Sequence, residues 1–517
     1  MSQLYSSVTV GLAGARPSIN HGRINHLNYT RMDTPRQNYI PISYLFAIVL
    51  GLSFWGKGVS DPDLGWHLLG GAWIVTHGTL PSHDFINSFN SEWHDYHWLS
   101  QILLYVLYGA GGYDGLRIFF GLTVAYLFKV LLDILYISIG RRKSVLFVEV
   151  FFVAAVLLMA HVTSVRPQVL AVLFVAVAVR RLLQAPRAYE VPLLVLLSIL
   201  LTNIHVYWVF IPLSWGLFRS LPALLRSKGT LSGSLGVLAL LCASGLVSPY
   251  GVQNYFLVWE YLSMPEQLLN SISEFKNSLA GGVYVSSILL LYLAILARVW
   301  NLRRALAKPG HAAGALIAFL LAVRSIKFIT IFVLLGFPYV IRNAGVAIRK
   351  YAPSMFHRDA AVAKLVIWIV TLLSIWLSIT RFPWISPTGD ELSSRYPIDG
   401  CKVLAHASQL SAERHGHIRV LTHFNHGGWC RWALYLESPN ADFRVTTDGR
   451  TQHLPVEHFE KGFELYRLKQ GWENTLAQWA PDVAVVPKDT ALAQGLELLG
   501  NWKIFYEDKH FKIFVPG

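Results

Sequence analysis

The stretch DPDLGWHLLGGAWIVTHGTLPSHD, residues 61–84, holds acids and histidines but no lysine or arginine. It follows directly on an apolar run, in a chain whose formal net charge is +14. A cation-free, acid-bearing segment just past a membrane helix is expected on the side away from the cytoplasm, because lysine and arginine are retained on the cytoplasmic side. Which side it occupies therefore decides the topology, and the rest of the chain has to agree.

The composition places the chain in a membrane. Of its 517 residues 54% are hydrophobic and 14% charged, well below the roughly 25% charged residues of soluble domains. Apolar runs of helix-spanning length recur near 40–55, 114–139, 144–162, 168–184, 191–203, 204–225, 231–248, 284–300, 311–323, 327–343 and 361–380. That is about eleven spans of a hydrocarbon core about 30 Å thick. Segments 191–203 and 311–323 are short for a crossing and read as tilted, broken or re-entrant. Residues 96–108 are apolar but follow an acidic loop, and read as an interfacial helix.

The cations sit in patches between these runs. Arg16, Arg23, Arg31 and Arg36 precede the first span; others lie at Arg141 to Lys143, Arg180 to Arg187, Arg219 to Lys228, Arg298 to Arg304 and Arg342 to Lys350. Placing every patch inside requires two crossings between successive patches, which the runs supply. The polar segment 1–39 is then cytoplasmic and, lacking an apolar core, is no signal peptide. A membrane domain covers 40–381 with a long first outer loop at 57–113, and the tail 382–517 lies outside. Cations so distributed orient helices and do not form a nucleic-acid surface.

On this topology several polar residues fall at outward-facing helix ends: Arg166, His205, Tyr250, Glu274, Arg324 and Lys327. Charges beside apolar spans usually face a cavity, a partner or a substrate. Each one taken alone can instead snorkel or form a structural ion pair. Arg324 and Lys327 also break the positive-inside pattern. An acidic loop over such a ring suits an anionic, phosphorylated, lipid-linked ligand, with a carboxylate nearby as base.

The arrangement resembles the GT-C superfamily of membrane glycosyltransferases, which includes aminoarabinose, protein O-mannosyl and oligosaccharyl transferases. The likeness rests on the N-terminal-in first span, an Asp soon after it (Asp63), Trp66, His67, Gly70, Gly71 and the Leu80–Pro81 exit. It is closer still to a bacterial group with DPDxWWH, RPQ, NxH, PYG and DGR elements. These correspond to residues 61–67, 166–168, 203–205, 249–251 and 448–450, with Gly65 in place of the first Trp. Leu64 stands where a second acid often follows the catalytic Asp. The resemblance implies an α-helical polytopic fold and transfer of a sugar from a polyprenyl-phosphate donor to a lipid, glycan or protein acceptor. The location implied is the outer face of a bacterial inner membrane.

In that reading Asp63 is the base and Asp61 the second candidate. Arg166, Arg324 and Lys327 offset the leaving phosphate, and His67 binds phosphate or steadies Asp63; His205, Tyr250 and Glu274 complete the substrate site. No cofactor is implied. The loop histidines His67, His77, His83, His94 and His97 match no ligand spacing, so a divalent metal stays open. Two other readings stay open as well. A non-catalytic scaffold for polysaccharide assembly can keep such a fold. A transporter also carries charges in its helices, although its site usually lies near mid-membrane.

The tail alternates short β-like runs at 417–424, 442–449, 482–488, 502–508 and 511–516 with helical stretches at 455–468 and 490–500. A small periplasmic α/β domain is expected. Asp448 to Arg450 reads first as a turn with a structural ion pair, and otherwise as a group facing the membrane site. His423 and His426 flank a Gly-rich bend and are weak evidence for a metal. Cys401 and Cys430 share the tail, and whether they pair is open.

Overall fold

Each apolar run between residues 40 and 347 coils into a helix, the form in which backbone groups away from water bond within their own segment. The structure, a computed structural model, describes residues 40–53, 61–89, 92–140, 145–159, 164–226, 230–264, 275–279, 283–351, 388–407, 416–451 and 454–517, with single positions between them. The first helices are α1 (Ile40–Ser53), α2 (Leu64–His77), α3 (Trp98–Ile139), α4 (Val145–Met159), α5 (Pro167–Leu182) and α6 (Glu190–Thr202). A 3-10 turn (Val206–Val209), α7 (Phe210–Trp215), a π turn and α8 (Leu221–Arg226) then form one composite rod. They are followed by α9 (Leu231–Ala243), α10 (Gln253–Leu262), α11 (Val283–Val299), α12 (Leu302–Ala307), α13 (Pro309–Arg324) and α14 (Ile329–Tyr351).

The interfacial helix expected at 96–108 and the span expected at 114–139 are the two arms of α3. Its backbone leaves helical angles at Gly111 and Gly112. Among the described residues, three helices are long and apolar enough to cross a membrane: Trp98–Ile139, Val206–Leu225 and Ile326–Ala347. Six further apolar helices have 10–17 residues. At 1.5 Å per residue even the longest of these reaches only about 25 Å, short of a core about 30 Å thick. The expected count of about eleven crossings is thus carried in part, and the span at 361–380 lies outside the described residues.

The tail is an α/β domain. Its strands are β1 (Ile418–Thr422), β2 (Phe443–Val445), β3 (Val483–Pro487), β4 (Trp502–Glu507) and β5 (Phe511–Pro516), in the order β2-β1-β3-β5-β4. β1 is parallel to β2 and β3, while β5 runs antiparallel to β3 and β4. The helices are α15 (Thr388–Arg395), α16 (Ile398–Ala405), α17 (Gly427–Glu437), α18 (Val456–Tyr466), α19 (Trp472–Trp479) and α20 (Ala491–Leu499). The two-residue period of a strand divides the buried side chains between the faces. Val420, Val483, Val485 and Ile513 join the core shared with Trp429 and the membrane helices. Their neighbours Leu421, Ala484, Val486 and Phe514 pack on Leu465, Trp479, Leu492 and Leu496. Parallel strands covered on both faces read as continuous apolar runs, as DVAVVPK does.

Two features tie this domain to residues 61–97. Residues 86–88 extend the sheet beyond β2: Val445 N–H donates to Ile86 O (2.8 Å) and Ser88 N–H to Val445 O (2.9 Å). Helix α2 lies directly on α17, where a Cβ on Gly65 would stand 2.6 Å from the Gly428 backbone. Only glycine permits that approach, which explains why a tryptophan is absent there.

Cys401 of α16 and Cys430 of α17 form a disulfide, Cα–Cα 5.6 Å, across a separation of 29 residues. By the loop-entropy relation, Cys401→Ser is expected to cost about 3–4 kcal/mol. Thermal melting of the variant should fall to that of the reduced wild-type protein. A variant melting like the oxidised wild type would remove the stabilising role.

Candidate functional site

Two X-Pro dipeptides shape the site, since the residue before proline is pushed to extended backbone. In Asp61–Pro62–Asp63 the chain turns sharply: Asp63 N–H donates to the Asp61 carboxylate (Oδ1, 2.9 Å), and α2 begins at Leu64 with Asp63 as its cap residue. In Arg166–Pro167, Arg166 is extended (φ −134°, ψ 152°) and Pro167 opens α5, the position where a missing N–H costs nothing. The Arg166 guanidinium pairs with buried Asp61 and lies 3.7 Å from Asp63 Oδ2. Asp63 Oδ1 accepts from the Trp66 indole at 3.3 Å.

Asp63, Arg166, His67, His205 and Lys327 line one cavity of about 170 Å³. Lys327 reaches it from the 3-10 turn Ile326–Phe328 that follows α13. Its ammonium lies 4.4 Å from the Tyr261 ring centroid and 4.8 Å from that of Phe275, an aromatic seat that favours a cation. Among the described residues no carboxylate lies within ion-pair distance of Lys327.

Three imidazoles form a chain along the wall. His67 and His97 have ring centroids 5.1 Å apart, and His97 and His205 5.2 Å apart. Burial pushes His97 down to about 3, and pushes His67 and His205 well below the usual histidine range. Neighbouring positive charges, Arg166 among them, add to the effect on His67 and His205. At neutral pH all three are uncharged, each with one donor and one acceptor nitrogen. His97 Nδ1 faces Ile204 O at 2.7 Å and so carries the proton. His205 Nδ1 accepts from Tyr207 N–H at 3.2 Å, leaving its proton on Nε2.

The C-terminal α/β domain closes the cavity with Gly449 and Arg450. Arg450 is almost wholly buried and bonds Asp448 (2.7 Å) and Asp84 (2.9 Å), both equally buried. Burial works against its charge, but the two carboxylates outweigh that and raise its pKa. The DGR segment is thus an ion-paired turn and, at the same time, part of the cavity wall. Trp429 Nε1 donates to Asp61 O at 2.7 Å, so α17 also holds the acidic turn from outside.

The structure does not bring every candidate together. Asp61 stands behind the cavity, paired to Arg166. Arg324 is exposed and donates to Leu262 O at 2.6 Å, and it does not line the cavity. Its helix ends at Ser325, whose extended backbone turns the next residues away from it. Tyr250 also stays out, its ring packed against His94 at 5.8 Å. Glu274 lies outside the described residues. Among those residues no group of three or more His, Cys, Asp or Glu converges as a metal site; His423 and His426 stand as a pair, 5.2 Å between ring centroids. Sequence reasoning missed Tyr261, Phe275 and Asp84. The aromatic pair carried no signal, being two of many aromatic residues in apolar surroundings, whereas Asp84 is the acid that closes the cation-free stretch.

No family model matches this chain, and no curated protein matches it in sequence. Solved structures do match in fold. The oligosaccharyltransferase AglB of Archaeoglobus fulgidus, in complex with an inhibitory peptide and a dolichol-phosphate, has a TM-score of 0.55 at 10% identity, over 86% of this chain and 69% of that one. An Archaeoglobus fulgidus oligosaccharyltransferase tethered to an acceptor peptide with the NVT sequon gives 0.51 at 11% identity, over 93% of this chain and 74% of that one. ArnT of Cupriavidus metallidurans, bound to undecaprenyl phosphate, gives 0.51 at 14% identity, over 92% of this chain and 97% of ArnT. At such identities the likeness is one of fold alone: the chain shares its architecture with AglB and ArnT.

Proposed function

We propose that this chain transfers a sugar from a polyprenyl-phosphate-linked donor to an acceptor on the outer face of a bacterial inner membrane. One observation carries the reading. The polar cavity adjoins a second, apolar one of about 330 Å³, and Lys327 and Tyr261 belong to both. Val206, Phe210, Leu213, Val258, Ile317 and Leu321 line the apolar cavity. A cation at the junction of a polar and an apolar space suits a ligand with a phosphate head and a hydrocarbon tail. Structural neighbours hold such ligands, dolichol-phosphate in AglB and undecaprenyl phosphate in ArnT. The disulfide suits an oxidising compartment, which supports an outward-facing tail.

In the proposed reaction the acceptor's nucleophilic atom attacks the anomeric carbon as the sugar–phosphate bond breaks. Asp63 takes the acceptor's proton, and the polyprenyl phosphate leaves with the bonding electron pair. Lys327 stabilises the departing phosphate, with Arg166 beside it and the donor nitrogen of His205 on the same wall. Asp61 holds Arg166 in place. Arg324 and Tyr250 have no part in this reading.

The test is turnover of a panel of undecaprenyl-phosphoryl sugars by the purified protein, read as release of undecaprenyl phosphate. No turnover with any donor would favour the scaffold. Lys327→Ala should weaken binding of undecaprenyl phosphate by about tenfold or more, the worth of one charge-assisted contact. Unchanged affinity, measured by native mass spectrometry, would take Lys327 out of the phosphate site.

A further inference from the structure

We infer that Gly449 of the outer domain is a positioning residue for the Asp63 carboxylate. The inference rests on the function proposed above for what Asp63 does, and on geometry alone for where Asp63 sits. A Cβ on Gly449 would lie 2.1 Å from Asp63 Oδ1, with Asp63 Cγ at 3.3 Å and the Trp66 Nε1 at 3.4 Å. The backbone of Gly449 is not among those with positive φ, so the missing side chain, and no special backbone angle, is what the position requires. The carboxylate is thereby held between three groups. Gly449 and the Trp66 indole flank Oδ1, and Arg166 lies toward Oδ2.

The segment bearing Gly449 cannot easily retreat. Its neighbours Asp448 and Arg450 are locked to each other and to Asp84 in the first outer loop, all three nearly solvent-free. Close by, the Asn87 side-chain amide donates to Thr446 O at 3.2 Å. The wall is therefore fixed, while the Asp63 carboxylate ends a short side chain with rotatable bonds. A methyl group added at 449 displaces the carboxylate, and the fold yields nowhere else. The outer domain, distant in sequence from the first loop, thus sets the reach of the proposed base.

Four proteins test this: wild type, Gly449→Ala, Asp63→Asn and the double variant. Gly449→Ala should melt like wild type and bind undecaprenyl phosphate with unchanged affinity, because Lys327 and the apolar cavity are untouched. Its turnover of an undecaprenyl-phosphoryl sugar should drop about 10²-fold, the usual effect of a misplacement near 1 Å. In the Asp63→Asn background the same substitution should change turnover by less than about twofold, since the two act through one group. A purely structural role would cost the same factor in both backgrounds, and that result overturns the inference. So does loss of folding in Gly449→Ala, which would mean the carboxylate is not the part that yields. A structure of Gly449→Ala decides independently of activity: a displaced Asp63 carboxylate supports positioning, and an unmoved one ends it. Should wild type turn over no donor, the proposed function fails while this structural arm still judges Gly449.

Discussion

Asp63→Asn should insert, form the Cys401–Cys430 disulfide and bind undecaprenyl phosphate, yet lose sugar transfer by about 10²–10⁴-fold, the usual worth of a general base. Asparagine keeps the size of the side chain and can still accept from the Trp66 indole, which bonds Oδ1 at 3.3 Å. What it loses is basicity, and a negative charge 3.7 Å from Arg166. The ion pair of Arg166 with Asp61 remains, so the guanidinium keeps its anchor. Asp61→Asn should be milder in transfer, because Asp61 does not line the cavity and acts through its neighbours. Its cost should appear partly in weaker phosphate binding, as Arg166 loses its buried counter-charge. Wild-type turnover by purified Asp63→Asn would discard the catalytic assignment and leave the scaffold reading in its place.

The largest stability loss should follow Arg450→Met. The substitution keeps much of the volume but leaves Asp84 and Asp448 facing each other at 0% and 2% side-chain exposure. Breaking a buried ion pair by removing one partner costs about 3–5 kcal/mol, because the stranded charge has no water. Here two carboxylates lose their shared cation and repel, with backbone N–H groups still bonding both of them. The loss should show as a lower melting temperature and as faster proteolysis within residues 61–97, of which 86–88 depend on the same contact with β2. Adding Asp84→Asn and Asp448→Asn to Arg450→Met should restore part of the stability, since a neutral triad has no charge to desolvate. An Arg450→Met protein that melts like wild type would show that the triad does not hold the loop.

Much of this molecule is legible in its sequence because the signals are local. Apolar runs forecast helices at the right places, and the kink of α3 falls between the segments expected at 96–108 and 114–139. All five described strands of the C-terminal domain lie inside the β-like runs of the tail. Helix and strand each impose a short period on burial, and a window of a few residues reveals it. Crossing is less legible: among the described residues three helices have the length for it and six are shorter, because hydropathy reports apolarity while length and tilt decide reach. Arg166 was also readable as a charge beside an apolar run, where charges usually face a cavity or a partner, and Asp63 through the family resemblance.

The sequence by itself therefore determined the apolar helical class, the α/β character of the tail and the acidic turn after α1. Tertiary structure alone decided which charges meet. Arg324 and Lys327 stand three positions apart in one motif, and only Lys327 reaches the cavity. Arg324 ends α13, whereas Lys327 follows the extended Ser325 in a turn that faces another way. Asp84 and Arg450 are 366 positions apart, and Gly449 meets Asp63 across a similar gap. No local pattern encodes such pairings. They exist because the sheet of the C-terminal domain docks on residues 84–88, and packing between distant segments is set by the whole core.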